Sequence, residues 1–225
     1  MLDTTTELMH GLTFATNQVL TERELNVADI PANLIGAPLR EIYDVLVLPF
    51  LPSSTDDSMF GQWKEFFTQG VDGQPESALF DDVLVGLQQI IERSSFRLKL
   101  GVATTKPTQI AFNNLGASVI PSGAMELFSV IQGTDVEMSP KPCPDVILEC
   151  AKKLGVDIGR TIYIGDTARD AQAAKSAGCA ASLTIRRDGK SDDLGADRLI
   201  RSFLEIETVL EDVLREKAAE KEKEK

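Results

Sequence analysis

Apolar positions follow two different rhythms along the chain. Up to about residue 69 they recur at helical spacing: Leu8, Leu12, Ala15 and Val19 share one face, and Leu39, Ile42, Leu46 and Phe50 another. Met59, Phe60, Trp63, Phe66 and Phe67 make a third face, which carries the only Trp. Pro31 and the polar run from Pro52 to Asp57 separate these segments. Helices of this size, each apolar on one side, bury those sides against one another. Residues 6–75 are therefore expected to form a small helical domain, closed by the hinge-like stretch Gly70-Val-Asp-Gly73-Gln-Pro75.

Beyond residue 80 short apolar runs alternate with helical periods. Asp81 or Asp82 caps a helix carrying Val83, Leu87, Ile90 and Ile91. Strands are predicted at Leu98–Ala103, Ser129–Gln132, Thr161–Ile164 and Ala181–Ile185. Helices are predicted at Pro107–Leu115, Pro144–Leu154, Thr167–Ala177 and Ser202–Leu214, with Gly155 and Gly178 closing the second and third. Such alternation implies right-handed crossovers and a parallel sheet covered on both sides, here over residues 76–214. Ligands of such sheets bind outside the carboxyl ends of the strands. Residues 215–225, almost all Lys, Glu and Ala, read as a solvated helical tail.

Composition narrows the functional classes. With 23 Lys+Arg against 35 Asp+Glu and a formal net charge of -12, the chain is a poor fit to nucleic acid or to an anionic membrane surface. Its most apolar run, Val45–Leu51, is broken by Pro49 and falls far short of the ~20 residues that span a bilayer. Cys143, Cys150 and Cys179 have no C-x-x-C spacing, which argues against a disulfide framework or structural zinc. A single His10 excludes a His-rich metal site. These features point to a reducing, cytoplasmic setting, or an organelle stroma in a eukaryote.

Three segments at predicted strand ends carry candidate chemistry. In Val102-Ala-Thr104-Thr105-Lys106-Pro107, a hydroxyl at a strand tip and free N–H groups at a helix start can donate to an anion. In Ser139-Pro140-Lys141-Pro142-Cys143-Pro144-Asp145, three prolines in five positions hold a lysine on one extended path. A fixed ammonium there can neutralise a phosphate or a carboxylate. In Ile162-Tyr-Ile-Gly165-Asp166-Thr167-Ala168-Arg169-Asp170, two carboxylates about one helical turn apart converge on a strand end. Mg²⁺ needs only one or two carboxylates because it keeps several waters; helix capping is the structural alternative for both acids.

In order and spacing these three segments resemble the second, third and fourth motifs of the haloacid dehalogenase (HAD)-like hydrolases. The nearest branch is similar to phosphoglycolate phosphatase and β-phosphoglucomutase, in which a helical cap is inserted near the N-terminus. The resemblance implies a Rossmannoid α/β core with a small helical cap, and Mg²⁺-dependent phosphatase or phosphomutase chemistry on a small phosphorylated metabolite. By it, Thr104 and Thr105 bind the phosphoryl group and Lys141 holds phosphate and nucleophile. Asp166 ligates Mg²⁺, and Asp170 ligates it or supports the site. The cap supplies specificity, with Arg40 as a basic candidate for a second anionic group.

The family's first motif, an apolar strand ending in Asp-x-Asp, has no full counterpart. The chain opens Met1-Leu2-Asp3-Thr4. Placing Asp3 on the general acid/base sets Met1 on the nucleophile, and a thioether cannot form an aspartyl phosphate. The first core strand is accordingly expected to be lacking and catalysis impaired. A non-catalytic HAD-like protein that binds a phosphorylated ligand or a protein partner is the alternative expectation.

Overall fold

The computed structural model describes residues 5–20, 22–52, 57–71, 79–93, 98–117, 127–135 and 137–223. The chain divides into two compact units, residues 2–78 and 79–225. No helix of the described residues is long and apolar enough to cross a membrane.

The first unit contains α1 (Thr5–Val19), α2 (Leu39–Leu46) and α3 (Ser58–Val71), joined through short 3₁₀ turns. Their apolar faces meet around Trp63, which is fully buried with Leu12, Ala15, Leu34, Ile42, Tyr43 and Val47. The indole lies edge-on to Tyr43 at 5.5 Å and donates its N–H to the Thr16 hydroxyl at 3.3 Å, so its polar edge is met inside the core. One predicted face is shorter than its periodicity implies. α2 stops at Leu46, and Phe50 sits in a separate turn with 51% of its surface exposed. Pro49 explains the break, because it has no N–H to continue the helix and its ring clashes with the preceding turn.

The second unit alternates helix and strand. It runs α4 (Asp81–Arg93), β1 (Leu100–Ala103), α5 (Thr108–Ala117), β2 (Phe128–Gln132) and α6 (Asp145–Leu154). It continues with β3 (Ile162–Gly165), α7 (Ala168–Ala177), β4 (Ala181–Ile185), β5 (Arg198–Ile200) and α8 (Ile206–Lys223). α6 and α7 both end on glycines with left-handed backbone, Gly155 at φ 63° and Gly178 at φ 81°. Among the described residues the strands pair in parallel: β1 pairs with β2, and β3, β4 and β5 pair in that order. Among the described residues no ladder joins β1 to β3. Both ladders nonetheless share their two apolar layers. Leu100 of β1, Phe128 of β2 and Ile162 and Ile164 of β3 pack on the cluster of Val83, Leu87, Ile90, Leu183, Ile200 and Phe203. Ala103 of β1 and Tyr163 of β3 pack with α6 and α7 on the opposite side, around Val146, Ile147 and Ala174.

α4 begins at Asp81 itself, so the predicted cap residues lie inside the helix. Asp81 and Asp82 both lie within its first turn. Asp82 accepts from the Ser202 hydroxyl at 2.6 Å and the Phe203 N–H at 2.8 Å, and pairs with Arg187 at 2.9 Å. The Arg187 guanidinium in turn covers the Phe80 ring at 4.1 Å. Burial works to raise the Asp82 carboxyl, but Arg187, Ser202 and the Phe203 N–H outweigh it and hold it below the usual carboxylate range. Its contribution to stability is therefore complete above ~3.9, the ordinary Asp value, and is lost as pH falls through the lowered folded value. Asp82→Ala is expected to cost ~2 kcal/mol in urea unfolding at neutral pH, because it leaves buried donors without an acceptor. The deficit should narrow in strong acid.

Candidate functional site

The carboxyl end of β1 is fixed by the loop that follows β2. Thr104 donates its N–H to the Gln132 carbonyl at 3.0 Å, and its own carbonyl accepts from the Thr134 hydroxyl at 3.1 Å. Thr134 N–H reaches Lys106 O at 3.0 Å, and the Thr108 hydroxyl at the start of α5 bonds Asp135 at 2.9 Å. Thr104 and Thr105 thus sit half-buried in a braced loop immediately ahead of a helix. The Thr104 hydroxyl accepts from Lys106 N–H at 3.3 Å.

Lys141 comes from the proline-bounded loop between β2 and α6. Asp145 anchors that loop by accepting from Ser139 N–H at 2.9 Å. The Lys141 side chain, 11% exposed, donates to Asp170 Oδ1 at 2.5 Å and to the Tyr163 hydroxyl at 3.0 Å. The Tyr163 hydroxyl stands 3.0 Å from Ala103 O and 3.2 Å from Asp170 Oδ1, so its single proton has an acceptor on either side. One buried cluster therefore ties the end of β1, the lysine loop, β3 and α7 together.

Asp170 organises the turn from β3 into α7. Its Oδ2 accepts from the Thr167 hydroxyl at 2.6 Å, Thr167 N–H at 3.1 Å and Asp166 N–H at 3.3 Å. Thr167 caps the same helix by accepting from Asp170 N–H, which completes a reciprocal capping box. The turn needs glycine at residue 165, where an added Cβ would lie 2.2 Å from the Asp170 Cβ. Burial works to raise Asp170, but the Lys141 ammonium and the Thr167 donors prevail and hold it below the usual carboxylate range. Burial likewise works to lower Lys141, and Tyr163 and Asp170 overcome it, so the ammonium is held charged. Tyr163 is raised, by burial first.

Asp166 is the freer of the two acids. Its residue surface is exposed, and among the described residues it joins no ion pair. Its carboxyl is raised above the usual range, by desolvation from the surrounding protein first and by the Asp170 charge second. Among the described residues no three His, Cys, Asp or Glu side chains converge as a metal cage. A hard cation that keeps its waters still fits Asp166, because one carboxylate with waters and phosphate oxygens satisfies it. Asp170 has both oxygens engaged by donors and is placed to orient this turn.

The structure thus brings Lys141, Asp166 and Asp170 to one strand end, with Ala103 and hence Thr104 beside them. Asp3 lies outside the described residues. Tyr163 was passed over in the sequence, where a tyrosine between two isoleucines reads as strand core. The polar end it places among aliphatic neighbours was the available signal. Arg40, in the helical unit, is paired with Asp44 at 2.9 Å and Asp57 at 2.8 Å and lies over Phe60. His10 is committed to Gly70 O at 2.7 Å. An open depression of ≈360 Å³ lined by Asn17, Leu20, Glu22, Arg23 and Glu24 gathers none of the predicted site residues.

Comparison with known proteins bears on the family and the fold. Residues 1–183 match the sequence model of the haloacid dehalogenase-like hydrolases. The chain is 30% identical over 148 residues to the "Probable phosphatase IndB" of Dickeya dadantii strain 3937, covering 65% of this chain and 61% of that protein. It is 39% identical over 82 residues to the phosphoglycolate phosphatase of Escherichia coli K12, covering 36% of this chain and 31% of that protein. The chain therefore spans less than two thirds of the length of either relative. Its fold is similar to that of β-phosphoglucomutase from Clostridium difficile, with a TM-score of 0.75 and 16% identity, over 97% of this chain and 94% of that one.

Proposed function

The chain belongs to the haloacid dehalogenase-like hydrolase family, and from that premise we propose that the ends of β1 and β3 form a phosphatase-type site for a small phosphorylated metabolite. The observation that carries this reading is the Lys141–Asp170–Tyr163 cluster, which fixes a buried ammonium at the strand ends beside an exposed Asp166. Lys141 would neutralise a phosphoryl oxygen, and Thr104 and Thr105 would donate hydroxyls and N–H groups to the others. Asp166 would hold Mg²⁺ with waters and phosphate oxygens, and Asp170 would keep Lys141 charged and Asp166 oriented. Bound Mg²⁺ would supply charge neutralisation on the phosphoryl oxygens.

Covalent attack is a separate requirement. A carboxylate engaged by Lys141, Tyr163 and Thr167 is a weak nucleophile, and Asp166 is assigned to the metal. The described residues therefore supply binding and electrostatics but no attacking atom. Uncatalysed phosphomonoester hydrolysis needs accelerations of up to ~10²¹, and positioning alone does not replace the nucleophile. This favours, as a second reading, a protein that binds phosphorylated ligands with little or no turnover.

Calorimetry with inorganic phosphate and Mg²⁺, run beside p-nitrophenyl phosphate hydrolysis, separates the two. Saturable Mg²⁺-dependent phosphate binding, weakened about tenfold by Asp166→Asn, is expected on either reading. Hydrolysis abolished by Asp166→Asn selects the hydrolase; binding without hydrolysis selects the binding protein. Absence of both overturns the site.

A further inference from the structure

We propose that Gln132 is a positioning residue for the Thr104 end of the site, aiming the Thr104 hydroxyl through one rigid peptide plane. The proposal rests on the reading of Thr104 as a phosphoryl contact, although the hydrogen bonds that do the aiming can be measured without phosphate.

Gln132 is an odd choice for core. Among the five described residues of β2 it alone is fully buried, while Val130 and Ile131 beside it are only partly so. An apolar side chain of that size would fill the space without the desolvation cost of a carboxamide. Packing therefore does not require this residue type, but its bonds do. Lys153 Nζ, which can only donate, meets Oε1 at 2.6 Å, and Gly133 O, which can only accept, meets Nε2 at 2.7 Å. These two partners fix which way the amide points. Nε2 also faces Met138 Sδ at 3.8 Å, in the segment that leads into the Lys141 loop. Lys153 stands in the last turn of α6, so one side chain joins that helix to the end of β2 and to the lysine loop.

The bond to Gly133 O also governs the opposite edge of the same peptide. A trans peptide is planar and carries its carbonyl and its N–H on opposite edges. Here the carbonyl belongs to Gly133 and the N–H to Thr134, and that N–H donates to Lys106 O at 3.0 Å. Turning the plane would break both bonds together. Lys106 in turn donates its own N–H to the Thr104 hydroxyl at 3.3 Å. A hydroxyl that accepts there keeps its proton to give to a phosphoryl oxygen. The path is continuous: Lys153, Gln132, the Gly133–Thr134 plane, Lys106, Thr104 Oγ. Gly133 leaves no slack in it, because an added Cβ would lie 2.2 Å from Lys106 O and 2.3 Å from Thr108 N. Glutamate at residue 132 would keep an acceptor for Lys153 but set its other oxygen against the Gly133 carbonyl. Methionine would offer neither bond.

Amide hydrogen exchange followed by NMR, beside calorimetry with inorganic phosphate and Mg²⁺, tests this on the full chain. Gln132→Met keeps the length of the side chain and should speed exchange of the Thr134 amide at least about tenfold, with the β4 amides unchanged. Phosphate should bind about fivefold more weakly. In a Thr104→Val background the same substitution should weaken phosphate binding by less than about twofold, because its effect runs through the missing hydroxyl. Gln132→Glu should behave as Gln132→Met does. Parental exchange and affinity in the glutamate variant would show that shape and the Lys153 pairing suffice, and would overturn the proposal. So would an equal phosphate penalty with and without the Thr104 hydroxyl. If Gln132→Met does not fold, Lys153→Ala reads the same path from a half-exposed position. It should speed the Thr134 amide at least about threefold, and a parental rate there overturns the proposal. If the parent binds no phosphate, the phosphatase reading falls and Thr134 exchange decides the rest: faster in Gln132→Met supports the positioning path, unchanged overturns it.

Discussion

Lys141→Met should lower stability by ~3–5 kcal/mol at neutral pH, which makes it one of the most damaging single substitutions in the second unit. Methionine keeps most of the side-chain volume and removes the charge. Asp170, only 7% exposed, is then left ionised without its ammonium, and Tyr163 loses a donor to its hydroxyl. The pH dependence has a definite sign. Asp170 is held below its ordinary value in the parent, so the pair's contribution is complete above the ordinary carboxylate pKa and is lost as pH falls through the folded value. In the variant burial acts unopposed by Lys141 and Asp170 protonates at higher pH. The gap between parent and variant in urea unfolding should therefore be widest near neutrality and close in acid. Lys141→Met with Asp170→Ala should lose less than the two single variants summed, because no buried charge is then orphaned. A loss that does not change with pH would mean that Lys141 acts through packing alone.

How much of this was legible in the sequence depends on the range of the interaction. Strand and helix alternation is local, and β4 and the helices closed by Gly155 and Gly178 lie where their patterns place them. β5 escaped because it has three residues, too few to establish a period, and one of them is Arg198. Phe50 was misplaced because its spacing continued a helical face that Pro49 interrupts. α8 continues past Leu214 to Lys223, through the tail that reads as helical. Arg198 supports that extension by binding Glu216 at 2.6 Å, a contact invisible to a local pattern.

The site shows the same division. The types and spacing of Lys141, Asp166 and Asp170 marked them as candidates at strand ends, but not which of them pair. Asp170 stands 29 residues from the lysine it holds, and Tyr163 stands 60 residues from the carbonyl it reaches. Those pairings exist only once the crossovers have aligned β1 with β3. Asp82 is a similar case. Its position suggests a local capping role, whereas its observed link to Arg187 spans 105 residues. Sequence spacing picked out the lysine and the two acids as candidates; the distribution of hydrogen bonds separated Asp170, with both oxygens engaged, from Asp166, which joins no ion pair among the described residues.

Gly165→Ala tests that division with the smallest possible change and is expected to cost at least ~3 kcal/mol. In a strand, alanine ordinarily costs nothing relative to glycine, so intrinsic preference predicts a neutral or stabilising effect. The surroundings reverse it. The new Cβ would lie 2.2 Å from the Asp170 Cβ and 2.4 Å from its Cγ. The Cβ is fixed to the α7 backbone, so a change of rotamer does not relieve the contact. Either β3 or the first turn of α7 must shift, and Asp170 then loses its alignment with Lys141 and with the N–H groups of Asp166 and Thr167. Phosphate binding measured by calorimetry should fall with stability, although residue 165 contributes no side chain to a ligand. The background variants identify the cause. Asp170→Ala retains the offending Cβ, so adding Gly165→Ala to it should remain costly. Asp170→Gly removes that atom, and the same addition should then cost less than ~1 kcal/mol. Equal penalties in the two backgrounds would show that strand backbone, rather than its approach to Asp170, sets the requirement for glycine.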